Sequence, residues 1–267
     1  GFNALVTSNL PSPSIALPGE NVNTKLYTGT GAELAVTGVG FQPDFTWIKT
    51  RTLAYNHRVF DVIRGATKEV YTNVTNAEVT DAQSLKSFDS DGFTLGDNGN
   101  ANQSSSQTYV AWCWVESATA GFDIVSYTGN GSARTISHSL SAKPRLIIQK
   151  NRSAGSTSGC LMDSTRGEAA TNDYYYLRTD VIGAQSNTTD FHNFASDGFI
   201  VSGTGTYFNA SGNTFASWNW RANGGTTSSN ATGDITSTVQ ADPSGGFSIF
   251  TYTGSGTSGN TVAHGLS

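Results

Sequence analysis

The sequence predicts an all-β protein built from tandem sandwich modules of the jelly-roll or concanavalin-like kind, and three observations lead there. Short runs of Thr, Val, Ile, Tyr, Phe and Trp are bounded by Gly, Asn, Asp and Ser, which is the pattern of strands and turns. No long amphipathic stripe of helix formers interrupts them, and only 13% of the 267 residues are charged while 30 are Gly. Above all, the chain repeats itself at a spacing near one sandwich-sized domain.

The repeat is carried by landmarks in a fixed order. "YTGTG" at 27–31 returns as "YTGNG" at 127–131 and "YTGSG" at 252–256. Pro43, Lys49 and Arg51 return as Pro144, Lys150 and Arg152, and "DVIRG" at 61–65 returns as "DSTRG" at 163–167. "SDGF" recurs at 90–93 and 196–199, and "TYVAWCW" at 108–114 returns as "TFASWNW" at 214–220. The offset is 100 at Tyr27/Tyr127, 101 at Pro43/Pro144, 102 at Asp61/Asp163 and 106 at both Phe93/Phe199 and Trp112/Trp218. An offset that grows only between landmarks is the mark of two homologous copies separated by loop insertions. The largest step falls between Gly65/Gly167 and Phe93/Phe199, which places the most variable loops there. The period is too long for a solenoid unit.

Taken in order, residues 1–23 carry Pro11, Pro13 and Pro18 and read as an extended strap leaving a preceding domain. Residues 24–120 form the first sandwich and 121–222 the second, joined by the short "VESATAG" at 115–121. Residues 223–245, rich in Gly, Ser and Thr, read as a linker with one short strand at 235–239. Residues 246–267 open a truncated third copy, since "VAHGLS" echoes "ISHSLS" at 136–141. The missing initiator Met and the break inside a motif point to an internal segment of a longer protein.

Strand alternation assigns faces. Phe45 and Trp47 share one face of "DFTWIK", and the second copy has Leu146 and Ile148 there, so the position is apolar without being chemically specific. Val110, Trp112 and Trp114 share a face opposite Tyr109, Ala111 and Cys113. Trp47, Phe93, Trp112, Phe199 and Trp218 are therefore assigned to the cores. Trp114 and Trp220, at the strand ends, either seal the module or offer an indole platform to a sugar ring. "SDGF" reads as a turn entering a strand; the alternative, calcium held by Asp89, Asp91 and Asp97, loses because Ala195 stands opposite Asp89. "DxxRG" reads as an exposed Asp–Arg pair ordering a loop. "YTGxG" is a strand and tight turn, without the GK[ST] of a phosphate loop.

Other classes are disfavoured. A net charge of −5 argues against a nucleic-acid backbone as partner. No apolar run reaches the length of a membrane span. No His/Cys cluster has zinc spacing, so neither a metal nor a cofactor is expected. Cys113 and Cys160 occupy unmatched positions and read as free thiols or core residues. No acidic pair stands out for glycoside hydrolysis and no nucleophile elbow occurs, so no catalytic residue is assigned and the segment is not expected to be an enzyme.

The quoted motifs, from "LVTSNLPSPSI" through "VTGVGFQPDFTWIKTRT", "FDVIRGATKEVYTN" and "FDSDGFTLG" to "FDIVSYTGNGSARTISHSLSAKPRLIIQKNRS", resemble modules in tail-fibre-like virion proteins of marine bacteriophages, cyanophages included, that follow a concanavalin-like SPRY domain. The resemblance covers essentially the whole chain. It implies a virion location, other virion proteins as partners, a homo-oligomer such as a trimer, and a structural or adhesive role that spaces and presents loops to a host surface glycan. The alternatives are a carbohydrate-binding lectin module and a polysaccharide depolymerase. The second copy departs from the pattern in "GSTSGCLMDSTRG" and "TNDYYYL", where loop specificity would differ between copies.

Overall fold

The computed structural model describes residues 18–222, 227–243 and 245–266. The expected strap over residues 1–17 lies outside the described residues. The chain is 44% strand and 3% helix, an all-β protein of several antiparallel sheets. Among the described residues the two helices, α1 (Pro18–Asn21) and α2 (Gly99–Asn102), are single turns.

The first module runs through β1 (Val22–Thr28), β2 (Leu34–Thr37), β3 (Phe45–Thr50), β4 (Arg58–Asp61), β5 (Lys68–Tyr71), β6 (Val79–Thr80), β7 (Leu85–Asp89), β8 (Gly92–Leu95) and β9 (Thr108–Trp114). Its large sheet has the order β1-β9-β3-β4-β5-β6 and its small sheet β2-β8-β7. The first two strands pair with the last two, as in a jelly-roll wrapping, while β3, β4 and β5 run as a meander. Val36, Phe93 and Leu95 from the small sheet meet Ile48, Phe60, Tyr109, Ala111 and Cys113 from the large one, closing a sandwich core.

The second module repeats this through β10 (Phe122–Thr128), β11 (Arg134–Ser137), β12 (Leu146–Asn151), β13 (Cys160–Asp163), β14 (Glu168–Ala170), β15 (Asp173–Arg178), β16 (Ser186–Thr188), β17 (Phe191–Phe194), β18 (Gly198–Val201) and β19 (Thr214–Trp220). Its large sheet reads β10-β19-β12-β13-β15-β14, with β16 on β15, and its small sheet β11-β18-β17. The registers match copy for copy: Trp112 faces Thr24 and Trp47 across its strand neighbours, and Trp218 faces Ile124 and Ile148. Tyr27 stacks on Tyr109 at 4.9 Å, and Tyr127 on Phe215 at 5.1 Å. The glycine of "YTGxG" is required by close approach. A Cβ on Gly29 would stand 1.8 Å from the Gln103 carbonyl oxygen, and one on Gly129 would stand 2.2 Å from that of Ala210.

The segment expected to be a linker with one short strand holds two among its described residues, and the second pairs with a strand of the segment read as a third copy. β20 (Ser228–Asn230), β21 (Ser237–Asp242) and β22 (Phe247–Tyr252) form a third small sheet in that order. It is docked on the second module. Arg221 pairs with Asp242 at 2.7 Å, Ser164 Oγ donates to Gln240 Oε1 at 2.8 Å, and Phe247 stacks on Trp220 at 6.1 Å. The strand expected at 235–239 corresponds to β21; β20 and the docking on the second module were not read from composition, because contacts to that module hold them.

Candidate functional site: the seam between the modules

Inside β9, Tyr109, Ala111 and Cys113 take the inner face of the sandwich. Trp112 and Trp114 therefore point outward, away from their own module's core. The assignment of Trp47, Trp112 and Trp218 to the sandwich interior is corrected here; Phe93 and Phe199 do lie in the interior, one in each module. The physical reason is alternation: it separates two faces of a strand but does not say which is inside when both are apolar. Small Ala111 and Cys113 suit the closely packed inner face, and the indoles take the outer one.

The outer faces are covered because the two large sheets pack against each other, giving four layers. Phe45, Val59 and Val70 of the first module meet Phe122, Ile124, Ile148, Ala216, Trp218 and Trp220 of the second in one buried cluster, with Trp47, Trp114, Leu146, Leu161 and Phe247 at its margin. Phe45 is the hub. Its ring lies 5.3 Å from Trp114, 5.5 Å from Phe122 and 5.6 Å from Trp218, all edge-on, the arrangement ring quadrupoles favour. Trp218 is 1% exposed and Trp220 5%. Trp114 lies 6.1 Å edge-on to Trp220 and, with Val22, Ala120 and Phe247, bounds a recess of about 200 Å3 at the seam's end. Trp220 is committed to packing, while Trp114, partly buried, keeps part of its ring on this recess. Trp112 is partly buried and meets Trp47 edge-on at 6.0 Å, and Trp47 Nε1 donates to His57 Nδ1.

Polar groups fix the register of the seam. Trp218 Nε1 donates to Asp61 Oδ2 at 3.0 Å, the same oxygen that accepts from Arg64 Nε at 2.6 Å. The Arg64 guanidinium lies 5.6 Å over the Trp218 ring. The first "DxxRG" pair is thus fully buried and contacts the other module, where an exposed loop pair was expected. At the far edge Arg152 forks onto Glu78 at 2.8 and 2.9 Å, and Lys150, buried, donates to the carbonyls of Val74 and Thr157. Burial pushes the Glu78 carboxyl up, but the bonds from Arg152 and the charges of Arg64 and Arg152 outweigh it and hold the group below its ordinary range. Burial lowers Lys150, which has carbonyl partners in place of an acid.

An acidic pair sits where the chain crosses from one sheet to the other. Glu116 and Asp123 flank the turn after β9 and line one surface notch together with Ile63 and His138. Asp44 Oδ2 accepts the Glu116 amide at 2.7 Å, and Ile124 N donates to Glu116 Oε1 at 3.4 Å. Asp123 is 2% exposed; its Oδ1 accepts from the Ser139 amide and hydroxyl, and no donor meets Oδ2. Burial, then the Asp123 and Asp44 charges, push Glu116 up to about 7 against the Ile124 bond. Sequence reading found no acidic pair. The available signal was position, since both residues bracket a junction too short to keep them apart.

The remaining sequence candidates resolve as structure. Asp89 accepts from Ser87 and Thr94 within its own hairpin, and Asp91 accepts the amides of Gly38 and Gly40 on the loop after β2, so both carboxylates are engaged. Among the described residues no group of three acidic, His or Cys side chains could hold a metal. Cys113 and Cys160 are free and buried, one in each module core. Burial pushes the Cys113 thiol up to about 12 and raises Cys160 as well. Among the described residues no helix is long and apolar enough to cross a membrane.

Fold and seam together define a class: a tandem β-sandwich protein whose repeats are fused back to back through aromatic outer faces. The chain belongs to the family described as a domain of unknown function, DUF7483, whose family model matches residues 17–173 and 149–267. The first match runs past the first sandwich into the facing sheet of the second. No curated protein and no solved structure matches the chain.

Proposed function

We propose that this chain is a structural and adhesive segment of a bacteriophage surface appendage, one that spaces and presents loops toward a host surface. The observation that carries the structural half is the seam. A flexible string of modules would leave the outer sheet faces polar. Here those faces are apolar and mutually buried, so the two copies form one stiff block with the third sheet clamped to its end. A stiff block transmits force and keeps loops at a fixed spacing. The adhesive half rests on the loop between β15 and β16, where Val181 and Ile182 stand exposed in a region that differs between the copies. The resemblance to tail-fibre-like virion proteins gives the setting. With Trp220 buried in the seam and Asp123 closed off from solvent, a structural role is the reading favoured over lectin or depolymerase.

Immunogold labelling of purified particles of the encoding phage, with antibodies raised against this segment, tests the proposal. Labelled appendages and antibody-blocked adsorption are the expected result. Unlabelled particles, or capsule-degrading activity of the purified segment, would overturn it.

A further inference from the structure

We propose that the turn joining the two modules is a proton latch: a proton carried by the Glu116 carboxyl bridges it to the buried Asp123 carboxylate and holds the adjacent end of the seam closed, and loss of that proton loosens it. The inference stands on geometry and does not require the phage setting. Asp123 Oδ2 is buried without a donor, and Glu116, whose Oε1 accepts from the neighbouring Ile124 amide, lines the same notch as Asp123. Two facing carboxylates in a desolvated site repel, whereas a carboxyl facing a carboxylate makes a strong charge-assisted hydrogen bond. The charges acting on Glu116 are both negative, from Asp123 and from Asp44. Across the notch His138 is pushed down by burial, against the pull of Asp123 and Asp197, so it supplies no positive charge near neutrality.

Placement gives the proton its leverage. Glu116 follows the seam residue Trp114 by two positions, and Asp123 lies between the seam residues Phe122 and Ile124. Ser117 and Phe122 bridge the turn between them. Any widening of the carboxyl pair therefore pulls on the Trp114, Phe122 and Trp220 rings.

The sign follows from linkage. Native Glu116 keeps its proton up to about pH 7, whereas the unfolded side chain loses it near the ordinary value of 4.5. Between those values the native state binds the extra proton, so the contribution is complete below the lower value and is lost as pH rises through the upper one.

The test is thermal unfolding of the full chain from about pH 5 to pH 9, beside E116Q, whose amide still donates to Asp123 but does not titrate. The wild type is expected to lose melting temperature relative to E116Q from about pH 5 to about pH 7 and to level off above, with native indole emission shifting around pH 7. Parallel curves for the two proteins would overturn the latch. If E116Q does not fold, 13C-carboxyl NMR of the wild type and D123N decides. A Glu116 midpoint near 7 that falls toward the ordinary range in D123N supports the proposal, and an ordinary midpoint in the wild type refutes it.

Discussion

The repeat places Trp112 and Trp218 at equivalent positions, yet the seam uses them unequally, and that inequality can be measured. In Trp218→Phe the Nε1 donor to Asp61 disappears and part of the ring volume with it. Loss of a hydrogen bond to a charged group costs about 1.5–3 kcal/mol. Asp61 keeps its Arg64 bond, which holds the figure toward the lower end. The smaller ring leaves a void between Phe45 and Arg64 that adds roughly 1 kcal/mol. Together these give about 2.5–4 kcal/mol. In Trp112→Phe the ring is only partly buried and its close ring neighbour is Trp47, so the cost should stay under about 1 kcal/mol. Urea unfolding of the full chain, followed by far-ultraviolet circular dichroism so that indole loss does not disturb the signal, gives both values. If Trp112→Phe costs as much as Trp218→Phe, the back-to-back arrangement of the sheets is wrong.

Three further outcomes follow from the same packing. Cys113 and Cys160 should resist a thiol reagent in the native state at neutral pH and react stoichiometrically in denaturant, because both are buried with raised thiol values; rapid native labelling would contradict the core placement. Gly29→Ala and Gly129→Ala should each destabilise by roughly 2 kcal/mol or more, since backbone must move to admit the Cβ; melting temperatures near wild type would refute the close approach. A double-mutant cycle on Glu78→Gln and Arg152→Gln should return a coupling of about 1 kcal/mol across the seam, and zero coupling would place the modules apart.

Much of the fold was legible because its signals are local or repetitive. Alternating strands, the drifting offset and the glycine turns each depend on a few neighbouring residues, and the matched registers of β1 with β9 and β10 with β19 follow from the repeated "YTG" and Trp-x-Trp motifs. The seam was illegible for a different reason. A strand with Tyr109, Ala111 and Cys113 on one side and Trp112 and Trp114 on the other is apolar on both, and a reader assuming an isolated sandwich gives the larger rings to the inside. Only the knowledge that both faces are buried, which is a property of the pair of modules, reverses that choice. The "DxxRG" pair was misplaced by the same assumption. Asp61 and Arg64 would be a weak exposed pair on a lone module, but they become a buried anchor once Trp218 arrives from the next.

The seam resembles the interface of a homodimer written into one polypeptide. Two homologous sheets meet face to face, β3, β4 and β5 of the first against β10, β12 and β19 of the second, and the short turn at 115–121 replaces the cost of bringing two chains together. Covalent connection also releases the copies from identity. Trp218 could gain Asp61 as an acceptor without Trp112 gaining a matching one, Lys150 could bury itself against Val74 without Lys49 doing the same, and the acidic pair could form at the single crossing point. If that view holds, exchanging β9 and β19 by swapping "TYVAWCW" with "TFASWNW" should preserve both sandwiches but lower the stability of the whole. The swap keeps every indole and still puts Ser and Asn where Ala111 and Cys113 pack in the first core. The loss should appear first in the first module, by hydrogen exchange, with β10 and β12 protected longest. Uniform loss across both modules would instead mean that the seam, and not either core, sets the stability of the block.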